Sequence, residues 1–175
     1  MKKRSMEELQ RISAEEFKSS EKIPVVIILD DVRSAYNVGS IFRTADAFRV
    51  ERIYLCGISA RPPHKDISKT ALGATESVDW EYFSDVMDAA HDLRAKGYLL
   101  YMVEQAHESI DLRSFHPAQG TKTALFFGHE VFGVKDELLE IADGCIEIPQ
   151  FGTKHSFNVA ISTGIVLWDI STKIK

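Results

Sequence analysis

Cysteine is scarce in this chain: Cys56 and Cys145 are the only two among 175 residues. Each lies in a strand-like stretch, and the pair has neither metal-ligand spacing nor the number needed to staple a fold. Both are therefore expected to be reduced core residues of a cytoplasmic protein. Long hydrophobic runs are missing too, with none near the ~18 residues that a membrane-spanning helix needs. The basic start, Met1 to Arg4, is followed by an acidic, polar stretch rather than an apolar one, which argues against a secretory or transit signal. No repeat or low-complexity tract occurs, and no G-x-G-x-x-G, which speaks against a Rossmann dinucleotide site. His64, His129 and His155 are scattered without paired ligand spacing, so no metal is expected.

What is present is ordinary globular composition, 45% hydrophobic and 27% charged, on a length suited to one domain with a substantial core. The net charge of −5 disfavours a protein that simply coats nucleic acid. Its distribution is uneven. From Arg33 to Lys69 there are seven Lys/Arg and three acids, whereas from Glu130 to Glu147 there are six acids and one lysine. The first of these segments permits a phosphate-binding face.

Strand-like and helix-like patterns alternate along the chain. Residues 24–30, PVVIILD, form an apolar run suited to a strand buried on both faces. Val38, Ile41, Phe42, Ala45 and Phe48 then recur at helical spacing, followed by a strand at 52–56. A Gly/Pro-bearing loop leads to a short strand, SVDWEYF, and Ser84 is placed to cap a helix that Gly97 ends. Buried strands are expected at 98–103, 123–127 and 145–148, with a short acidic helix before the last of them. The pattern predicts an α/β fold with a mainly parallel sheet flanked by helices. Residues 1–22 are expected to be an N-terminal helical extension, whose MEELQRI and SAEEF segments form a short docking helix with a Ser13/Glu16 capping box. Residues 23–175 form the main domain. A final helix from about Ser156 to Ile170 is apolar around its whole circumference, which calls for burial on all sides and so for a subunit interface.

Polar residues at the expected carboxyl ends of the strands, where open parallel sheets bind ligands, fall into three clusters. The first is Asn37-x-Gly39-Ser-Ile-Phe-Arg43-Thr-Ala45. Gly39 there would let another backbone approach, Arg43 lies off the apolar stripe, and the plain alternative is a capping Asn with a solvated Arg. The second, Gly128-x-Glu130-x-x-Gly133, resembles a phosphate loop until Glu130 and Asp136 are counted against it. The third is Ile148-Pro149-x-x-Gly152-x-x-x-Ser156-x-Asn158-Val159. Here Gly152 permits a bend, Ser156 could serve as an N-cap, and Asn158 would be a buried amide in need of partners.

In this order, each after a strand, the clusters resemble the three motifs of the SpoU family, the TrmH-like branch of the SPOUT RNA methyltransferases, over residues 24–171. The resemblance implies a C-terminal deep trefoil knot and a homodimer joined through the final helices. It also implies S-adenosylmethionine as cofactor and transfer of its methyl group to a ribose 2′-hydroxyl in tRNA or rRNA. By position, Glu104, Gly128, Ile148 and Phe157 would bind the cofactor, and Arg43, Asn37, Glu130, Ser156 and Asn158 would form the catalytic set. Arg43 matches the family's activator of the hydroxyl. Because a guanidinium is a poor base, orientation and charge stabilisation suit it better than deprotonation. Glu130 would hold Arg43, Asn37 or the substrate, while Ser156 and Asn158 would order the third motif, from the same or the opposite subunit. Gln150 stands where many relatives carry Met, and Phe157 replaces the usual Leu. RNA contacts are expected on this domain itself, at Arg33, Arg61, Lys65, Lys69 and Lys154. The rival expectation is a non-catalytic RNA-binding or assembly module with the same knotted fold.

Overall fold

A computed structural model describes residues 1–5, 7–9 and 11–174. The apolar run in β1 (Ile23–Asp30) sets the architecture, because it must be covered on both faces. Val25, Ile27 and Leu29 point into one core and Val26 and Ile28 into the other, as the two-residue period of a strand requires. Among the described residues seven strands form one sheet. They are β1, β2 (Val50–Cys56), β3 (Asp79–Phe83), β4 (Leu99–Val103), β5 (Ile110–Asp111), β6 (Thr123–Phe127) and β7 (Gly144–Glu147), in the order β3-β2-β1-β6-β4-β7-β5. Every pairing is parallel, in agreement with the expected fold class.

One face of the sheet carries α1 (Ala14–Ser19), α2 (Ala35–Ala47), α3 (Lys65–Ala71), α4 (Ala74–Ser77) and α7 (Val159–Lys173). The other carries α5 (Val86–Ala95) and α6 (Asp136–Ile141). The Ser13/Glu16 capping box starts α1, and its Phe17 is buried in the first core. The expected docking segment also takes in Met6 and Gln10, which lie outside the described residues. Gly39 is buried where α2 meets α3. A Cβ there would strike the Thr70 hydroxyl and come within 2.5 Å of the Ile67 carbonyl oxygen. The close backbone approach expected at this glycine is what the packing contains.

Several local expectations need correction. Asp85, not Ser84, caps α5, with its carboxylate accepting from the Met87 N–H at 2.9 Å. The Gly/Pro loop expected over residues 57–70 runs into α3, and α4 follows it, ending at Ser77 where the strand was expected to begin; the short lengths of both helices hide their periodicity. Ser34 caps α2, so Asn37 sits in its first turn rather than at the cap. The last helix begins at Val159, and Asn158 rather than Ser156 is its cap. That helix is also not covered all round. Val159, Thr163, Val166, Leu167 and Ile170 face the core, whereas Ile161 and Trp168 are 56% and 65% exposed.

Among the described residues no helix is long and apolar enough to cross a membrane, and no cluster of His, Cys, Asp and Glu could hold a metal ion. Both cysteines are free and buried, and burial pushes both thiols up, away from the thiolate form that nucleophilic or metal-binding roles use.

Gly39→Ala is expected to cost about 1–3 kcal/mol by overpacking the α2–α3 contact, which corresponds to roughly 2–12 °C in Tm for a chain of this size. Thermal unfolding at matched protein concentration reads it, and an unchanged Tm contradicts the close packing.

Candidate active site

A cleft of about 290 Å³ opens where β4, β6 and β7 end. Its apolar walls include Val103, Phe127, Ile146, Ile148 and Phe157, and its polar groups include Glu104, Glu130 and Ser156. This is the carboxyl edge of a parallel sheet, the side on which ligands gather in such folds.

The loop after β6 forms the floor. His129 and Gly133 exchange backbone hydrogen bonds, the His129 N–H donating at 3.0 Å and the Gly133 N–H at 2.9 Å. His129 Nδ1 accepts from the Val131 N–H at 2.9 Å and stiffens the turn further. Two glycines make this ring possible. A Cβ on Gly128 would collide with the backbone of Gly133, and Gly133 has φ +69° with the Glu104 carboxylate where its Cβ would stand. Glu104 in turn accepts from the Val134 N–H at 3.1 Å and from the Gln105 N–H at 2.8 Å, clamping the loop to the end of β4.

Residues 149–158 form the rim and are largely exposed. Gln105 donates through Nε2 to the His155 carbonyl at 2.5 Å, which ties this rim to the segment after β4. Gly152 has ordinary φ, and a Cβ there would meet nothing, so the bend expected of it imposes no glycine requirement. Asn158 is exposed rather than buried, but its amide is fully used. Oδ1 accepts from the Ala160 N–H at 2.9 Å to start α7, and Nδ2 donates to Asn37 Oδ1 at 3.1 Å.

The structure thus brings Glu104, Gly128, Glu130, Ile148, Ser156 and Phe157 together around the cleft, and Asn37 to Asn158 beside it. It does not bring Arg43 to the cleft of its own chain. Arg43 stands exposed on the outer face of α2 and makes no hydrogen bond or ion pair among the described residues. Arg33, Lys65 and Lys154 are likewise exposed. Lys69 is paired with Asp66 at 2.7 Å, and the Arg61 guanidinium lies 3.9 Å from the centre of the Tyr82 ring. Tyr82 is therefore half of a cation–π pair.

Sequence reasoning missed His129 as the organiser of its loop and Lys135 as the partner of Asp30, which sits 3.0 Å from it at the end of β1. Asp30 carried a usable signal, since a carboxylate that closes a buried apolar strand needs a counter-charge. Burial pushes its carboxyl above the usual range, against the pull of Lys135.

An all-parallel sheet whose carboxyl edge holds an apolar slot flanked by carboxylates and glycine-shaped loops suits a ligand that joins a flat apolar ring to a cationic centre. The chain belongs to the SpoU rRNA Methylase family, whose model matches residues 24–168. It is similar to the tRNA (guanosine(18)-2′-O)-methyltransferase of Thermus thermophilus, with 29% identity over 95% of this chain and 84% of the relative. Among solved structures it matches an A. aeolicus TrmH/SpoU tRNA modifying enzyme with TM-score 0.78 and 27% identity, over 91% of this chain and 79% of that one. An AdoMet-bound rRNA methyltransferase from Sinorhizobium meliloti gives TM-score 0.78 and 28% identity, over 87% of this chain and 58% of that one. The protein is accordingly an S-adenosylmethionine-dependent RNA ribose 2′-O-methyltransferase.

The cleft suits that cofactor on its own terms. Ile148 and Phe157 would give a flat base apolar walls, and the acidic side chains around the slot would favour a sulfonium cation over a phosphate.

Gly133→Ala places a side chain both at positive φ and against Glu104. It is expected to weaken S-adenosylmethionine binding on the order of tenfold or more, the equivalent of about 1–3 kcal/mol of local strain. Calorimetry on the folded variant checks it, and wild-type affinity would contradict the clamp.

Proposed function

We propose that this chain methylates ribose in tRNA or rRNA as a homodimer, with Arg43 of one copy completing the cleft of the other. The observation that carries this reading is the 3.1 Å hydrogen bond from Asn158 to Asn37, which fixes the helix bearing Arg43 beside the cleft rim. Arg43 has no partner among the described residues of its own chain, and a guanidinium left free on a helix face is available to a neighbouring site.

Bound S-adenosylmethionine supplies an electrophilic methyl group. The residues of the chain align the acceptor and manage charge. Arg43 stabilises the oxygen as its negative charge develops and orients it, a role suited to a group that stays protonated. Glu130, exposed at the cleft mouth, holds that arginine or the sugar in place. Ser156 and Asn158 order the rim, and Asn37 transmits that order to α2. Glu104, Gly128, Ile148 and Phe157 form the cofactor slot. Arg33, Lys65 and Lys154 contact RNA phosphates as free cations, while Lys69 and Arg61 do so from their present pairings with Asp66 and Tyr82.

The two-fold contact is assigned to the outward stripe of α7, where Ile161 and Trp168 lie one face apart from the core-facing residues. Leaving two large apolar side chains in water is unfavourable by about 25 cal/mol per Å² of area that a partner could cover. The C-terminal segment is read as threaded through the connection between β4 and β6 to form a trefoil knot. In support, both ends of that segment are bonded to this connection: Gln105 to the His155 carbonyl, and Lys173 Nζ to the carbonyls of Leu112 at 2.7 Å and Phe115 at 2.9 Å. Residues 1–22 are read as an N-terminal extension to a domain of residues 23–175, supported by the burial of Phe17 of α1 in the first core, and two buried thiols suit a reducing cytoplasm.

Arg43→Ala should lower methyl incorporation into bulk tRNA or rRNA by ~10²-fold or more at saturating cofactor, the size of a lost oxyanion donor. Unchanged turnover would overturn the role. Trp168→Glu should convert the dimer to monomers in sedimentation and abolish methyl transfer while S-adenosylmethionine still binds. A variant that stays dimeric, or a monomer that retains full turnover, removes α7 or the shared site from the scheme.

A further inference from the structure

Lys135 follows the loop that closes on Gly133, and it does not face the cleft. Its Nζ lies 3.0 Å from Asp30 Oδ1 and 3.4 Å from Asp31 Oδ2. Asp30 is 2% exposed, whereas the Lys135 side chain is 43% exposed. Burying a carboxylate against one half-solvated lysine contributes little stability, since apolar residues of similar volume fill such sites as well or better. A device of that kind therefore invites a role other than holding the fold together.

The position of the pair supplies one. Asp30 ends β1, and the next residues turn directly into α2, which carries Asn37 and Arg43. This joint is braced. Asp31 adopts φ +56°, and its Oδ1 accepts from the Ile58 N–H at 2.9 Å. The Val32 N–H donates to Ser59 Oγ at 2.8 Å, and the Ala60 N–H donates to the Val32 carbonyl at 3.1 Å. Ser34 then caps α2. On the other side, Val134 is held by Glu104 and Gly133 by His129. Glu104 thus fixes the cofactor loop to the end of β4, and Lys135 fixes the same loop to the base of α2.

We propose that Lys135 is a positioning residue that couples the loop bearing Gly128, Glu130 and Gly133 to the strand–helix joint bearing Asn37 and Arg43, so that cofactor and acceptor stay in register. The proposal rests on the methyl-transfer reading above. Lys135 does not line the cleft; it acts through Asp30 and Asp31. Burial works against its charge, yet the two aspartates hold its pKa above the usual lysine range, so it remains a cation at working pH.

The test compares Lys135→Gln, Lys135→Arg and the double variant Lys135→Gln/Asp30→Asn, whose second change removes the carboxylate that the first leaves uncompensated. S-adenosylmethionine affinity without RNA, kcat at saturating cofactor, and Tm are measured on each. In the double variant, kcat should fall on the order of tenfold at saturating cofactor, because small misplacements of reacting groups cost that much or more. Tm should stay within a few degrees of wild type, and Lys135→Arg should recover most of the rate. Wild-type kcat in the folded double variant overturns the coupling, and so does a change confined to cofactor affinity or to Tm. Failure of the wild-type protein itself to bind S-adenosylmethionine would overturn the underlying reading instead, so the two failures are distinguishable.

Discussion

A parallel sheet buried on both faces leaves its strands no place for polar chemistry except their ends. From Val25 to Leu29 in β1 and from Ala124 to Phe127 in β6 every side chain belongs to one apolar core or the other, so each strand delivers its functional group where it stops: Asp30 at the end of β1, Gly128 after β6. Because all the strands run the same way, those groups collect along one edge. The cleft, its glycine ring and the rim above it all follow from that constraint. Had one central strand been antiparallel, its terminal residues would lie on the far side of the molecule.

The charge pattern obeys the same geometry. The basic stretch from Arg33 to Lys69 supplies α2, strand β2 and most of α3, with both helices on one face of the sheet, while the acidic stretch after Glu130 includes α6 on the other. An acidic protein can in this way offer a locally cationic surface beside a slot lined by carboxylates. RNA affinity then depends on which helices face the nucleic acid rather than on the sum of the charges.

Strands were legible in the sequence because a short, unbroken apolar run bounded by polar residues suits a strand covered on both faces, and residues 123–127 match β6 at both ends. The three polar clusters were legible because their order along the chain mirrors their order at the strand ends. Less legible were features in which a local rule has two solutions a residue or two apart. Ser and Asp at 84 and 85 can both cap a helix, as can Ser156 and Asn158, and tertiary contacts decide. The helix α7 looked apolar all round because sequence periodicity cannot say which stripe meets the sheet and which stays open. The ion pair of Lys135 with Asp30 was hidden because the residues are 105 positions apart: the strand pattern shows that Asp30 needs a counter-charge but not which cation supplies it.

Asn158 performs two tasks with one amide: it starts α7 and it reaches Asn37, 121 residues earlier. The start of α7 and the placement of Asn37 on α2 are consequently coupled through one side chain. A single substitution at Asn158 therefore disturbs a helix terminus and a contact 121 residues away in the sequence.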